Sequence, residues 1–334
     1  MKREQTLGEF ELIKRYFRGA ALEAAGDQSA IALGIGDDAA LLNIPSYRQL
    51  VISTDSLVQD THFPSNCSPD DLGYRALAVA VSDLAAMAAR PLAFTLALTL
   101  PDVEENWLND FARGLAEAAQ AFQISLIGGD TTRGPLNIGV TVFGDVPCGL
   151  GLQRSGAMPG DLLCVGGPLG DGAGGLAVVL GQDMPATLSI ADRNYLYQRF
   201  WRPRAQCELG QALAGIASAG LDVSDGLLAD AGHLASRSGV AVHIGADDLP
   251  HSPALGNWQA SQRLQWMLGG GDDYVLLFSL PASHRASLDE WQARGWSVSV
   301  IGEIRAGEGV WLDEGTGPQR VGRPAGYNHF QGAE

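Results

Sequence analysis

Four short motifs set carboxylates beside hydroxyls or glycines: Gly36-Asp37-Asp38, Ser53-Thr54-Asp55, Gly128-Gly129-Asp130-Thr131-Thr132 and Asp222-Val223-Ser224-Asp225-Gly226, each after a short apolar run. Any one of them is most simply a turn, because Asp and Gly are the commonest turn formers. Their recurrence is what points to chemistry, since loops at strand ends gather ligands in α/β folds. Carboxylate and hydroxyl oxygens are the hard ligands that Mg²⁺ accepts, whereas the histidines show no paired spacing suited to zinc. Asp83 adds a fifth acid. On a helix its neighbours three and four positions away are Val79, Ala80, Ala86 and Met87, so its carboxylate emerges from an apolar face that ought to be buried. Burying it uncompensated costs several kcal/mol. A metal ion answers that cost; an arginine partner or an exposed helix face are the alternatives.

Only Lys2 and Lys14 are lysines, so the chain has neither a G-x-x-x-x-G-K-[ST] loop nor a kinase-type lysine. Positive charge for any phosphate chemistry must come from metal ions, arginines and backbone N–H groups. The segment Val165 to Gly175 follows a strand and enters a helix, where its N–H groups could cradle a phosphate. Close strand-to-helix packing explains its glycines equally well. His62, a lone histidine beside Phe63, reads by default as a hydrogen-bonded structural residue.

The elements that must position these groups alternate between apolar strands and Ala/Leu-rich helices, which gives an α/β or α+β class. Strands are expected over 50–54, 94–100, 138–143 and 162–165. A helix is expected over 71–89, capped by Ser68 with Pro69 in its first turn. The 334 residues suffice for two domains at about 150 residues each, and the Gly- and Pro-rich stretch near Val146 to Gly151 sets the boundary, giving 1–150 and 151–334. With 46% hydrophobic and 18% charged residues the chain is globular. A net charge of −16 without any basic run speaks against nucleic acid or anionic membranes as partners. The sequence carries no spanning apolar segment and no signal core at its start. Its four scattered cysteines suit a reducing cytoplasm.

Taken together, GEFELIKRYF (8–17), GIGDDAALL (34–42), STDSLVQDTHF (53–63), SDLAAMAARP (82–91), LIGGDTTRG (126–134), RSGAMPGD (154–161), LDVSDGLLAD (221–230), LGGGDDYVLLF (268–278) and AGYNHF (325–330) resemble the thiamine-monophosphate kinase family. Its superfamily is that of aminoimidazole ribonucleotide synthetase, whose members bind ATP without a P-loop. The resemblance implies a two-domain fold: an N-terminal ferredoxin-like domain that binds ATP and Mg²⁺ and pairs with its twin in a homodimer, and a C-terminal α/β domain that covers the nucleotide and contributes to the substrate site. It implies transfer of the γ-phosphoryl of ATP to thiamine monophosphate, the last step of thiamine diphosphate biosynthesis. Carried over by position, Asp38, Ser53, Thr54, Asp55, Asp83, Asp130, Asp222 and Asp225 would hold several Mg²⁺ ions, with Asp55, Asp130, Asp222 and Asp225 central to catalysis. Gly129, Asp130, Arg154 and Ser224 would contact ATP, and His62, Asp272 and Tyr327 the thiamine phosphate. The sequence departs from the family at Asp272-Asp273-Tyr274-Val275, where Glu-Asp-Tyr-Glu is usual. Two alternatives stay open: a sister synthetase that activates an amide or selenium substrate, although the N-terminal Cys–Lys pair of the selenium enzyme is missing, and a non-catalytic binder of Mg²⁺-nucleotide or thiamine phosphate.

Overall fold

The computed structural model describes residues 9–182 and 184–322. The chain forms two compact units: the first ends at Gly149, and the second begins at Leu150 and takes in Ala85–Ala88.

In the first unit, β1 (Arg48–Val58), α1 (Pro69–Ala86), β2 (Arg90–Leu100), α2 (Glu105–Phe122), β3 (Ser125–Arg133) and β4 (Asn137–Pro147) follow one another. The four strands make one sheet in the order β1-β4-β2-β3. The β2–β3 pair is parallel and the other two are antiparallel. A parallel pair needs a crossover, and α2 provides it. The connectivity is therefore βαβαββ, one step different from the βαββαβ order of a ferredoxin-like domain. α1 starts at Pro69 as its sequence signals require, but it stops at Ala86 because Ala88 turns left-handed (φ 58°) and sends the chain into β2 at Arg90. α1 and α2 cross almost backbone to backbone. A Cβ on Gly114 would lie 1.7 Å from Asp70 O, and one on Gly73 would lie 2.2 Å from Phe111 O. A short ribbon, Ile31–Leu33 with Leu41–Leu42, packs Ile31 and Leu42 against Ala30, Leu92, Ala93 and Ile127 and leaves Leu33 and Leu41 exposed.

The second unit is built on seven strands: β5 (Leu162–Val165), β6 (Ala219–Asp222), β7 (Ala241–Gly245), β8 (Leu276–Leu280), β9 (Ser299–Arg305), β10 (Gly309–Asp313) and β11 (Gln319–Arg320). Their order is β11-β10-β7-β9-β5-β8-β6. The helices used below are α3 (Asp171–Val179), α4 (Ile190–Trp201) and α5 (Leu227–Ser238). Leu163, Val165, Leu221, Leu277 and Ile301 from the sheet join Leu227 and Leu234 of α5 in one core, which fixes the β6–α5 connection carrying Asp222, Ser224 and Asp225.

Candidate functional site

Alternation along β1 sorts its three candidate ligands. Ser53 and Asp55 share the half-buried row that ends at buried Leu57, whereas Thr54 lies on the exposed row. The Ser53 hydroxyl donates a hydrogen bond to Asp83 Oδ2, which joins β1 to α1. The helix face around Asp83 is buried as expected, with Val79, Ala80 and Ala86 in the core. Its carboxylate meets a hydroxyl there rather than an arginine. Thr54 does not join this group: its hydroxyl is bonded to that of Thr141 at 2.9 Å on the opposite face.

Asp130 is exposed near the end of β3. β1 and β3 are the two edges of the sheet, so Asp55 and Asp130 stand three strand spacings apart, about 14 Å. Gly129 (φ 153°) precedes Asp130 where a Cβ would come within 1.9 Å of Leu96 O, so only glycine fits. Asp38 is exposed on the loop of the 31–42 ribbon, its N–H donating to Asp37 Oδ1 at 2.9 Å. His62 accepts the N–H of Val58 on Nδ1 at 3.0 Å, which leaves the ring proton on Nε2.

In the second unit, Asp222 is buried at the end of β6 and Asp225 half-buried in the loop entering α5. Asp230, one turn into α5 and only 2% exposed, turns its carboxylate back on this loop. Its Oδ2 accepts the N–H groups of Ser224, Asp225 and Gly226 at 3.1, 3.1 and 3.2 Å. Burial, and then the charges of Asp222 and Asp225, push its pKa up to about 8 against the pull of those donors. Oxygen or nitrogen atoms of Asp225, Asp230 and His233 lie within 4.8 Å of one another. Asp272 is brought beside this loop: its N–H donates to Ser224 O at 3.0 Å, and that of Tyr274 to Val223 O at 2.8 Å. Asp272 and Tyr274 are both left-handed (φ 68° and 51°), and the Tyr274 hydroxyl donates to Asp272 Oδ1 at 3.0 Å. Two such residues in one short loop is the kind of strain that packing must hold in place.

Asp273 provides that hold. It is fully buried, and its carboxylate accepts Gly170 N–H at 2.7 Å and Gly172 N–H at 2.8 Å, closing the N-terminus of α3. Arg199 of α4 donates to the Asp273 carbonyl at 2.9 Å. Burial raises the Asp273 pKa to about 7. The Gly-rich segment is thus no open phosphate cradle, because a carboxylate of the chain itself occupies its donors. Its glycines serve packing: a Cβ on Gly172 would meet Asp272 at 2.5 Å and one on Gly175 would meet Leu196 O at 2.4 Å.

Arg154 is exposed near the far end of α5, where its carbonyl accepts the Ser238 hydroxyl at 3.1 Å. The twelve residues of α5 span about 18 Å, so the Arg154 backbone and Ser224 lie at opposite ends of this helix. Tyr327 lies outside the described residues. Asp230 was detectable in the sequence by the reasoning applied to Asp83, since Leu227 and Leu234 stand three and four positions away. The grip of Asp273 on Gly170 and Gly172, 103 and 101 positions away, had no local signal.

The AIR synthase related protein N-terminal domain matches residues 36–146, and the corresponding C-terminal domain matches residues 158–313. Thiamine-monophosphate kinase of Salmonella typhimurium is 44% identical over 333 residues, covering 97% of this chain and 98% of that protein. The crystal structure of thiamine-monophosphate kinase from Stenotrophomonas maltophilia K279a is 45% identical with a TM-score of 0.81, over 86% of this chain and 92% of that one. AaThiL complexed with AMPPCP and TMP is 30% identical with a TM-score of 0.77, over 99% of both chains. With both domains matched in order and relatives of this identity aligned over nearly its whole length, the chain belongs to the AIR synthase related proteins and, within them, to the thiamine-monophosphate kinase family.

Proposed function

We propose that this chain transfers the γ-phosphoryl group of ATP to thiamine monophosphate, yielding thiamine diphosphate and ADP as the last step of thiamine diphosphate biosynthesis. The observation that carries this reading is the near-complete alignment with thiamine-monophosphate kinases, one of them complexed with an ATP analogue and TMP. The donor chemistry suits Mg²⁺: Ser53, Asp55 and Asp83 offer oxygen ligands alone, and the N–H groups of Ser224–Gly226 and of the α3 N-terminus are already held by Asp230 and Asp273. In the first unit Ser53, Asp55 and Asp83 would hold metal at one sheet edge and Asp130 a separate ion at the other, with Asp38 adding a ligand; in the second unit Asp222 and Asp225 would hold metal. When bound, the ions supply the positive charge that equatorial phosphoryl oxygens need in the transition state. Thr54, with its hydroxyl turned to Thr141, contributes at most through its backbone.

No residue need act as a base. A phosphomonoester has a second pKa of about 6, so the acceptor oxygen is ionised at neutral pH. What the chain must do is bring two anions into line. Gly129, Asp130, Arg154 and Ser224 contact ATP, and Asp272 with His62 and Tyr327 meets the acceptor. The exposed apolar row of β1, with Leu50, Ile52 and Val58, supports a homodimer paired through this sheet. A cytoplasmic setting agrees with free cysteines, and among the described residues no helix is long and apolar enough to cross a membrane.

The test is a coupled assay of ADP release from purified protein with ATP, Mg²⁺ and thiamine monophosphate. Release that requires all three is expected. ATP binding without any release that depends on thiamine monophosphate would sink the reading and leave a non-catalytic binder.

A further inference from the structure

We propose that Asp230 is a positioning residue that gives the Ser224–Gly226 loop its shape and thereby aims Asp222 and Asp225; this rests on the reading of those two acids as metal ligands. The geometry is specific. A single oxygen, Oδ2, collects three consecutive N–H groups, from Ser224, Asp225 and Gly226. Such a run of amides is a ready site for an acceptor oxygen, and here a side chain of the chain itself supplies that oxygen. From the other side the 272–274 loop satisfies the carbonyls of Val223 and Ser224. The backbone between β6 and α5 is thus clamped on both edges, which leaves the Asp225 side chain as the part of the loop free to face a ligand. Asp230 is buried on the face of α5 that carries the core residues Leu227 and Leu234, which restricts the oxygen to this loop. Asp230 need not touch the metal itself.

Position and charge are separable by two substitutions. Asp230→Asn keeps an oxygen acceptor at the same reach and removes the charge. Asp230→Glu keeps the charge and displaces the oxygen by one methylene. Steady-state kinetics on the full chain, with Mg²⁺ varied at saturating ATP and thiamine monophosphate, should give half-saturation within about threefold of wild type for Asp230→Asn. Asp230→Glu should raise it about tenfold or more, with KM for thiamine monophosphate little changed. Calorimetric titration with Mn²⁺ alone should rank the three proteins the same way. That second measurement is independent of turnover, so a chain that bound Mn²⁺ in this order yet released no ADP would fail the kinase reading and keep this one. A charge-only role predicts the reverse, with Asn impaired and Glu normal. That result, equal behaviour of both variants with wild type, or equal impairment of both, would overturn the assignment.

Discussion

Asp55 and Asp130 occupy opposite edges of one sheet, so their roles should be separable at the level of single side chains. Asp55→Asn and Asp130→Asn should each raise the Mg²⁺ concentration for half-maximal activity at least tenfold while the fold persists, because each removes a charge from an acid-rich neighbourhood. At this separation their effects on melting temperature should add. Unchanged turnover in both at limiting Mg²⁺ would remove them from the metal site. Asp272 is a separate case: Asp272→Ala should raise KM for thiamine monophosphate about tenfold, the equivalent of 1.4 kcal/mol, and leave KM for ATP nearly alone. Equal losses toward both substrates would mean that it serves only the loop. Asp273 contributes a pH dependence of stability. Its pKa rises from 3.8 unfolded to about 7 folded, so its protonation stabilises the fold fully below about pH 4 and that contribution is lost as pH climbs toward 7. The stability gap between wild type and Asp273→Asn, measured by denaturant titration, should therefore shrink by a few kcal/mol between pH 4 and pH 7, at about 1.4 kcal/mol per pKa unit. A gap constant with pH would show that Asp273 ionises like an exposed acid.

Elements carry these side chains, and the crossing of α1 and α2 bears directly on Asp83. Gly114→Ala puts a methyl carbon 1.7 Å from Asp70 O, a backbone atom that cannot rotate away. The substitution should cost about 3 kcal/mol or more, read as a fall in melting temperature, and should weaken Mg²⁺ binding by moving α1. A protein as stable as wild type would mean that the two helices slide freely. The sequence showed the start of α1 through Ser68-Pro69-Asp70-Asp71, because caps are local. It did not show the end, since nothing in Ala88 announces a left-handed turn. β1 proved longer than its apolar run, Arg48–Val58 instead of 50–54, for a related reason. Ser53, Asp55 and Ser56 make the strand look polar just where it carries ligands. The acids themselves were readable from type and spacing. Their grouping was not, because the side that Thr54 faces depends on strand pairing, and the donors at Gly170 and Gly172 are taken by an aspartate about a hundred residues away.

At the scale of the molecule, a net charge of −16 opposes self-association, so the homodimer proposed above must draw on the exposed apolar row of β1. On that proposal, wild type should sediment as a dimer in analytical ultracentrifugation and Ile52→Arg as a monomer that keeps its helical content. A protein whose mass in solution is insensitive to this change would remove the β1 face from the interface. The paired loops at Val223–Gly226 and Asp272–Tyr274 bear on how quickly ligands are captured. Each peptide group they lock has already given up its conformational freedom, about 1–2 kcal/mol per residue, when the chain folded. Ligand capture does not have to repeat that loss, and its rate at this unit is left to diffusion and to the repulsion between like charges, with no waiting time for a loop to close.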